Sequence, residues 1–449
     1  MSISMSRRRF LQSSAALGSV LFLPKLSLGK SANGKLQHAS VGVGGMGFSD
    51  LQSIVAGGTT DIIALCDVDA GNLAKAAEWL KTEHKIESVR QYRDWREMLD
   101  KEGDKIDSVN VSTPDHMHAP IAYSAIRKGK HVYCQKPLTH TVNEARILTQ
   151  AARKAGVVTQ MGIQCHADIA YRMAVAIIQS GGIGKVKEFH SWQSGSAVWT
   201  TATARPEGED PVPATLDWDK WIGVAPKRPF KAAIYHQANW RGWQNFGSGV
   251  MGDFACHIFD PVFTALKIGA PLSVKTEVSN YNTETFPTWQ IAQYEFPGTE
   301  YTAGKTIRGT WYNGEKIPPR ELVPMPAEYK LPGAGSILVG EDGVMVLPHW
   351  AGPQLYPLEK FKGYQRPKIK SLDHYQQWVD ACLGKGTPEA NFDFSGSMTE
   401  TVLLGNVGIH FAGKTLQWDA ANMKIPNMPE AEKHLRKIYR DGWTVEGIG

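Results

Sequence analysis

Asp253 and His257 stand four positions apart in Gly252-Asp253-Phe254-Ala255-Cys256-His257, a spacing that puts both side chains on one face of a helix. Lys136 is remote from them in sequence, in Gln135-Lys136-Pro137 directly after the apolar run His131-Val132-Tyr133-Cys134. A lysine, an imidazole and a carboxylate suit alcohol oxidation, because a hydride can leave carbon only if the hydroxyl proton leaves as well. A base poised near neutral pH takes that proton, and a nearby cation steadies the developing alkoxide. Taken alone, the helix pair could equally be a surface Asp and His.

Such chemistry needs a hydride carrier, and Val41-Gly42-Val43-Gly44-Gly45-Met46-Gly47 reads as the turn that holds one. In this G-x-G-x-x-G pattern Gly42 allows a tight turn, Gly44 lets the backbone approach a pyrophosphate and Gly47 lets the next helix pack close to the sheet. Gly45 and Met46 open that helix, whose amino end faces the phosphates. Ile62 to Cys66 reads as a second buried strand ending at Asp67, at the distance where this motif places its ribose carboxylate. An acid there favours NAD, since it accepts from free ribose hydroxyls and repels a 2′-phosphate; Asp67 alone does not exclude NADP. A further strand, Ser108 to Val111, ends at Thr113-Pro114-Asp115-His116, and the His131 strand delivers Gln135 and Lys136 to the same edge. Thr113, Pro114, His116, Gln135 and Lys136 are therefore expected beside the dinucleotide, where α/β folds bind ligands.

Around these residues, apolar runs alternate with helical periods as far as Val157–Met161, with Thr141 and Glu144 forming a capping box. This predicts a parallel, Rossmann-type sheet over 36–163. Beyond it come a helix from Asp168 to Gln179, a strand near Val186 to Trp192 and a long aromatic and proline-rich passage, Ala197 to Phe246. The spacing predicts a helix from Gly252 to Leu266, strands at 273–280, 288–296 and 302–311, a turn at 341–343 and helices at 374–383 and 398–411. A helical tail is predicted around Ala431 to Tyr439. Strands with no helices between them argue for an antiparallel sheet.

Together, the glycine turn, Thr113-Pro114-Asp115-His116, Lys136-Pro137 and the Gly-Asp-x-x-x-His helix resemble the Gfo/Idh/MocA oxidoreductases. Gln160-Met161-Gly162, Asn239-Trp240-Arg241-Gly242-Trp243 and Leu404-Gly405-Asn406-Val407 look like that family's exported branch. The resemblance implies an α/β chain with a Rossmann domain, then an α+β domain over 164–449 with a large, open, mainly antiparallel sheet, the 396–412 helix packing back toward the first domain. It also implies a dimer or tetramer, NAD or NADP, sugar or cyclic polyol substrates, and Lys136, Asp253 and His257 in catalytic positions. The family usually has Glu before the lysine, and here Gln135 cannot hold a negative charge beside Lys136. His166, Arg172, Trp240 and Arg241 are cast as substrate residues, because aromatics stack on a sugar's apolar face and arginine donates to its hydroxyls. Packing or a subunit contact is the competing reading for Trp240 and Trp243.

At 449 residues with a net charge of +5 spread along the chain, the protein has room for two packed domains and no dense basic tract for nucleic acid. Residues 1–29, with Ser6-Arg7-Arg8-Arg9-Phe10-Leu11 ahead of a short apolar run, resemble a twin-arginine export signal, so a periplasmic or exported protein with no stable membrane span is expected after cleavage. Five cysteines without a C-x-x-C pair read as mostly buried thiols, and the His116-x-His118 pair lacks a closing ligand set, so no metal is expected. Outside the cytoplasm no pool reoxidises free NADH. A redox-assisted NAD-dependent glycosidase, which oxidises, eliminates, hydrates and reduces at one site with a tightly held cofactor, is therefore the alternative to a net oxidoreductase.

Overall fold

The computed structural model describes residues 34–195, 199–326 and 328–449; the export signal expected at 1–29 lies outside them. The first half alternates β1 (Leu36–Val41), α1 (Met46–Ala56), β2 (Thr60–Cys66), α2 (Ala70–His84), β3 (Arg90–Tyr92), α3 (Trp95–Glu102), β4 (Ser108–Val111), α4 (His118–Arg127), β5 (His131–Gln135), α5 (Val142–Ala155) and β6 (Thr159–Gly162). Its six strands are all parallel, in the order β3-β2-β1-β4-β5-β6. That order places the β1/β4 switch point, and with it a ligand crevice, at the strands' carboxyl ends. β4, β5 and β6 are buried along their whole length, as expected of strands covered by helices on both faces. The Thr141–Glu144 capping box starts α5, and Gly156 stops it in the left-handed region at φ 66°. β3, three residues of exposed and half-buried side chains, carries no apolar run that would mark it in the sequence.

The second half holds α6 (Ile169–Gln179), β7 (Val186–Ser194), α7 (Trp218–Ile222) and α8 (Cys256–Leu266), then β8 (Ser273–Val278), β9 (Gln290–Pro297), β10 (Thr306–Gly314), β11 (Ala334–Gly340), β12 (Val344–Pro348) and β13 (Gln354–Tyr356). α9 (His374–Cys382), α10 (Phe392–Gly408) and β14 (Thr415–Gln417) complete it. Eight strands pair as β13-β12-β11-β7-β10-β9-β8-β14. The pairs are antiparallel except β7 with β10, which run parallel because the chain passes through the aromatic insert, α8 and two strands between them. The helix expected at 252–266 opens as a π-helical turn, Met251–Ala255, before α8. The helical tail expected through Tyr439 is instead a 3₁₀ segment, Pro429–Leu435, followed by extended chain. Tertiary contacts override local propensity there: Lys437 Nζ lies 3.1 Å from Glu144 Oε1, and the Tyr439 hydroxyl donates to the same oxygen at 2.7 Å.

α10 joins the halves. It is buried almost throughout and packs on α5: Arg146 grips Glu400 with two hydrogen bonds of 2.7 Å, and Thr149 Oγ1 donates to the Phe392 carbonyl at 3.2 Å. On its other side Thr276 Oγ1 of β8 donates to the Gly405 carbonyl at 3.0 Å. Among the described residues no helix is long and apolar enough to cross a membrane. Arg146→Met leaves the buried Glu400 carboxylate unpaired and is expected to cost about 3 kcal/mol in denaturant unfolding, whereas Arg146→Met combined with Glu400→Leu costs less than the single change. An equal or larger loss in the double variant would contradict this.

Candidate active site

The glycine turn sits where β1 leaves the sheet. Gly42 has φ 79°, and a Cβ there would lie 2.7 Å from the Ser112 carbonyl oxygen; a Cβ at Gly47 would lie 2.0 Å from the Gly42 carbonyl oxygen. Both positions therefore require glycine, which brings α1 down onto the β1/β4 junction. Gly44 faces the Asn72 amide rather than open space, while Gly45, at φ 51°, meets nothing within 4 Å on its Cβ side. No side chain caps the amino end of α1 at Gly45–Met46, and no acid occupies its first turn; Gly47 N and Phe48 N donate to the Gly44 and Gly45 carbonyls at 3.0 and 3.2 Å, and the positive dipole end of the helix remains for an anion.

Asp67 closes one side of this turn. Its carboxylate accepts from Val43 N and Asp69 N, both at 2.9 Å, and from Asn72 Nδ2 at 3.3 Å. Burial pushes its pKa up, opposed by those backbone donors. Two oxygens with about four lone-pair sites keep acceptor capacity for ribose hydroxyls. An uncapped helix, an open Gly45 and this carboxylate fit a dinucleotide.

At the exits of β4 and β5 the expected residues separate. Thr113 and Pro114 are half-buried at the crevice. His116 is wholly buried, with its ring nitrogens 3.2 and 3.1 Å from the carbonyls of Phe246 and Trp221. Through those carbonyls it anchors the aromatic insert at the β4 exit. Gln135 is also turned inward: its amide donates to both Asp50 oxygens at 3.0 and 2.9 Å, and its Oε1 accepts from Lys136 N at 3.3 Å. Asp50 takes further hydrogen bonds from Ser112 Oγ at 2.6 Å and the Tyr375 hydroxyl at 2.7 Å. Burial raises its pKa, while these donors and the Lys136 charge pull it down. A carboxylate thus does act on Lys136 here, supplied from α1 rather than from the Gln135 position.

Lys136 reaches across to the π-helical turn and pairs with Asp253. Arg241 Nε lies 3.4 Å from the same oxygen, its guanidinium 4.4 Å from the Trp240 ring centroid and 5.0 Å from that of Trp199. Burial would raise the Asp253 pKa, but Lys136 and Arg241 overcome it and hold the carboxyl below its usual range. His257, one turn on, is held well below the usual imidazole range by burial and then by the Lys136 charge, so it is a neutral base at physiological pH. Its Nδ1 lies 3.2 Å from Cys165 Sγ, and its ring is 6.0 Å from that of His349. His349 Nδ1 is 2.5 Å from the Tyr171 hydroxyl. Burial pushes Asp115, which feels Arg241, Lys136 and Asp253, up to about 7. The centre thus holds an ionised carboxylate, a carboxyl near neutrality, two cations and a neutral imidazole, an arrangement that separates acid from base roles.

The remaining expected residues lie elsewhere. Trp240 is buried and serves as a stacking surface for Arg241. Trp243 is in the core of the insert, its indole donating to the Ile234 carbonyl at 3.2 Å. His166 and Arg172 do not meet Lys136. His166 Nδ1 lies 2.6 Å from Asp260, Arg172 donates to Glu389 at 2.5 Å, and both line a cavity of about 880 Å³ farther along the helix that carries His257. Asp260 outweighs burial and lifts the His166 pKa to about 10. Asp50 and His349 escaped the sequence reading. Asp50 had a signal, an acid on the inward stripe of Gly47, Leu51 and Ile54. His349, in the turn between β12 and β13, had none.

Fold and site together define a dinucleotide-binding α/β protein whose second half brings Asp253 and Arg241 to Lys136 of the first. Residues 36–163 match the model of the oxidoreductase family's NAD-binding Rossmann fold, and residues 183–305 that of its C-terminal alpha/beta domain; between them the two span more than half of the chain. The chain belongs to the Gfo/Idh/MocA oxidoreductase family, and its first half is the family's NAD-binding domain. Levoglucosan dehydrogenase of Pseudarthrobacter phenanthrenivorans is 27% identical over 168 residues, 37% of this chain and 34% of that protein. A glycosyl hydrolase family 109 protein of Stenotrophomonas maltophilia is 31% identical over 137 residues, 29% of this chain and 30% of that protein. The chain thus spans about a third of the length of each of these curated relatives. The WlbA dehydrogenase of Bordetella pertussis, solved with NADH and UDP-GlcNAcA, superposes with a TM-score of 0.59 at 16% identity over 86% of this chain and 99% of that one, which shows the shared fold.

The Asp115 carboxyl gives this centre a pH signature. Its folded pKa of about 7 exceeds that of an unfolded aspartate, about 3.9, so the folded chain keeps a proton the unfolded chain has released. Its stabilising contribution is full below about pH 4 and is lost as pH rises through about 7. Between about pH 5 and pH 8 the denaturant midpoint of the native protein is expected to fall relative to Asp115→Asn, and parallel curves would contradict the assignment.

Proposed function

We propose that this protein is an NAD-dependent oxidoreductase acting on a ring hydroxyl of a sugar or cyclic polyol, with Lys136, Asp253 and His257 as its catalytic residues. The observation that carries the proposal is the pairing of Lys136, from the β5 exit, with Asp253, one turn before His257. The glycine turn and Asp67 would hold the dinucleotide, whose nicotinamide would supply the hydride acceptor. His257, neutral through burial, accepts the hydroxyl proton as the alcohol is oxidised. The Lys136 ammonium offsets charge on the substrate oxygen, and Asp253 holds that ammonium in place against the Arg241 guanidinium. Arg241, fixed on Trp240, donates to sugar hydroxyls.

The redox-assisted glycosidase is the second reading, supported by the similarity to a glycosyl hydrolase family 109 protein. Oxidation of one hydroxyl to a ketone acidifies the neighbouring C–H, the aglycone is eliminated, water adds and the ketone is reduced again. The same cluster serves both outcomes, since only the fate of the ketone differs. Export by the twin-arginine route, proposed from residues 1–29, favours a retained cofactor and so the redox-neutral outcome. A homo-oligomer is proposed as well, with the exposed row Gln293, Glu295 and Arg308 on β9 and β10 as a candidate contact face.

His257→Ala and Lys136→Met are each expected to lower kcat by roughly 10²–10⁴-fold while dinucleotide still binds. Unchanged turnover in His257→Ala would overturn the catalytic assignment. Net hydrolysis of a glycoside with no lasting change in nicotinamide absorbance selects the glycosidase; accumulation of reduced nicotinamide selects the dehydrogenase.

A further inference from the structure

The aromatic insert before the π-helical turn is attached to the Rossmann half at two separate strand exits. At the β2 exit, Leu216 forms an antiparallel bridge with Asp69, Asp217 N donates to the Val68 carbonyl at 2.9 Å, and Ala70 N donates to the Thr215 carbonyl at 2.9 Å. Arg93, just past β3, clasps this junction by donating to the Val68 carbonyl at 2.5 Å and the Thr215 carbonyl at 2.7 Å. At the β4 exit, His116 N donates to the Phe246 carbonyl at 3.1 Å, and the His116 ring lies between the Phe246 and Trp221 carbonyls. In the sheet order β2-β1-β4, the glycine turn of β1 lies between these two anchors. A segment fixed on both sides of the turn must pass in front of it.

The insert is stiff enough to form a wall. Trp221, Phe230, Tyr235, Trp243 and Phe246 make a core of their own, and Arg440 of the carboxyl-terminal segment braces its far side by donating to the Gly223 carbonyl at 2.9 Å and to Asp219 at 2.6 Å. His236 is half-buried and packs edge-on against Trp221, their ring centroids 6.3 Å apart.

We propose that residues 215–246 are the outer wall of the nucleotide site, and that the dinucleotide leaves only when this wall lifts from the β2 exit. The proposal rests on dinucleotide binding by the Rossmann half and adds which segment encloses the adenosine end. At this end Asp67 and its neighbour Asp69 would repel a 2′-phosphate. The enclosed site accordingly takes NAD over NADP.

Release of NADH from the full-length protein, followed by nucleotide fluorescence after a chase with excess NAD, tests the wall. Arg93→Ala removes the clasp without touching the glycine turn or Asp67, and release is expected to quicken by about tenfold or more. His236→Ala, which removes the edge-on contact with Trp221, is expected to change release in the same direction. Amide hydrogen exchange over 215–222 is expected to slow when NADH is bound. Release unchanged in both variants, or exchange there indifferent to NADH, would overturn the wall while leaving nucleotide binding intact. A native protein that binds neither dinucleotide would overturn the binding on which the wall depends.

Discussion

One buried carboxylate, Asp253, organises the candidate site. It takes Lys136 from the Rossmann half and Arg241 from the insert on the same oxygen, so charges from three stretches of chain share one low-dielectric site. Two cations left unpaired there would each carry a desolvation cost of several kcal/mol. The ionised carboxylate offsets both, and in doing so fixes the ammonium beside the next turn of the helix, where His257 stands. The same positive field, added to burial, keeps His257 and His349 neutral. Burial meanwhile lifts Asp115 toward neutrality. Asp253 and Asp115, of similar intrinsic acidity, thus differ in ionisation because Lys136 and Arg241 overcome burial at the first and burial prevails at the second.

The packing around this centre serves to hold the two halves in register. α10 lies between α5 and the second sheet, and the His118 ring, with its nitrogens 2.8 Å from the Pro137 and Thr113 carbonyls, ties the exits of β4 and β5 together. The Asp50 cluster beneath Lys136 does similar work from α1. It collects donors from Ser112, Gln135 and Tyr375, residues that come from both halves of the chain. Gln135 belongs to that cluster as a donor, a role a second carboxylate facing Asp50 could not play unless one of the two were protonated.

Local pattern carried most of the fold. The glycine turn, the Thr141–Glu144 capping box and the strand at Ser108–Val111 follow from spacing within a few residues, and the four-residue step from Asp253 to His257 placed both on one face even through a π-helical turn. What escaped the sequence depends on partners far along the chain. The parallel pairing of β7 with β10 could not be read from strands whose own alternation says nothing of which neighbour they choose. His166 and Arg172 were legible as polar residues near the site, but their partners Asp260 and Glu389 draw them into a separate cavity. His116 sits in a motif at a ligand-binding strand end, yet its ring is claimed by carbonyls of the insert, and the extended tail follows Glu144 rather than its own helical period.

The convergence of Lys136, Asp253 and His257 over a nicotinamide is tested most directly by a crystal structure of the protein with NAD bound. The expected result places nicotinamide C4 toward these three side chains, with space between them for one ring hydroxyl at a reacting separation of about 3–3.5 Å. A nicotinamide ring bound outside the β4 and β5 exits, with Lys136 and His257 turned away from C4, would contradict it.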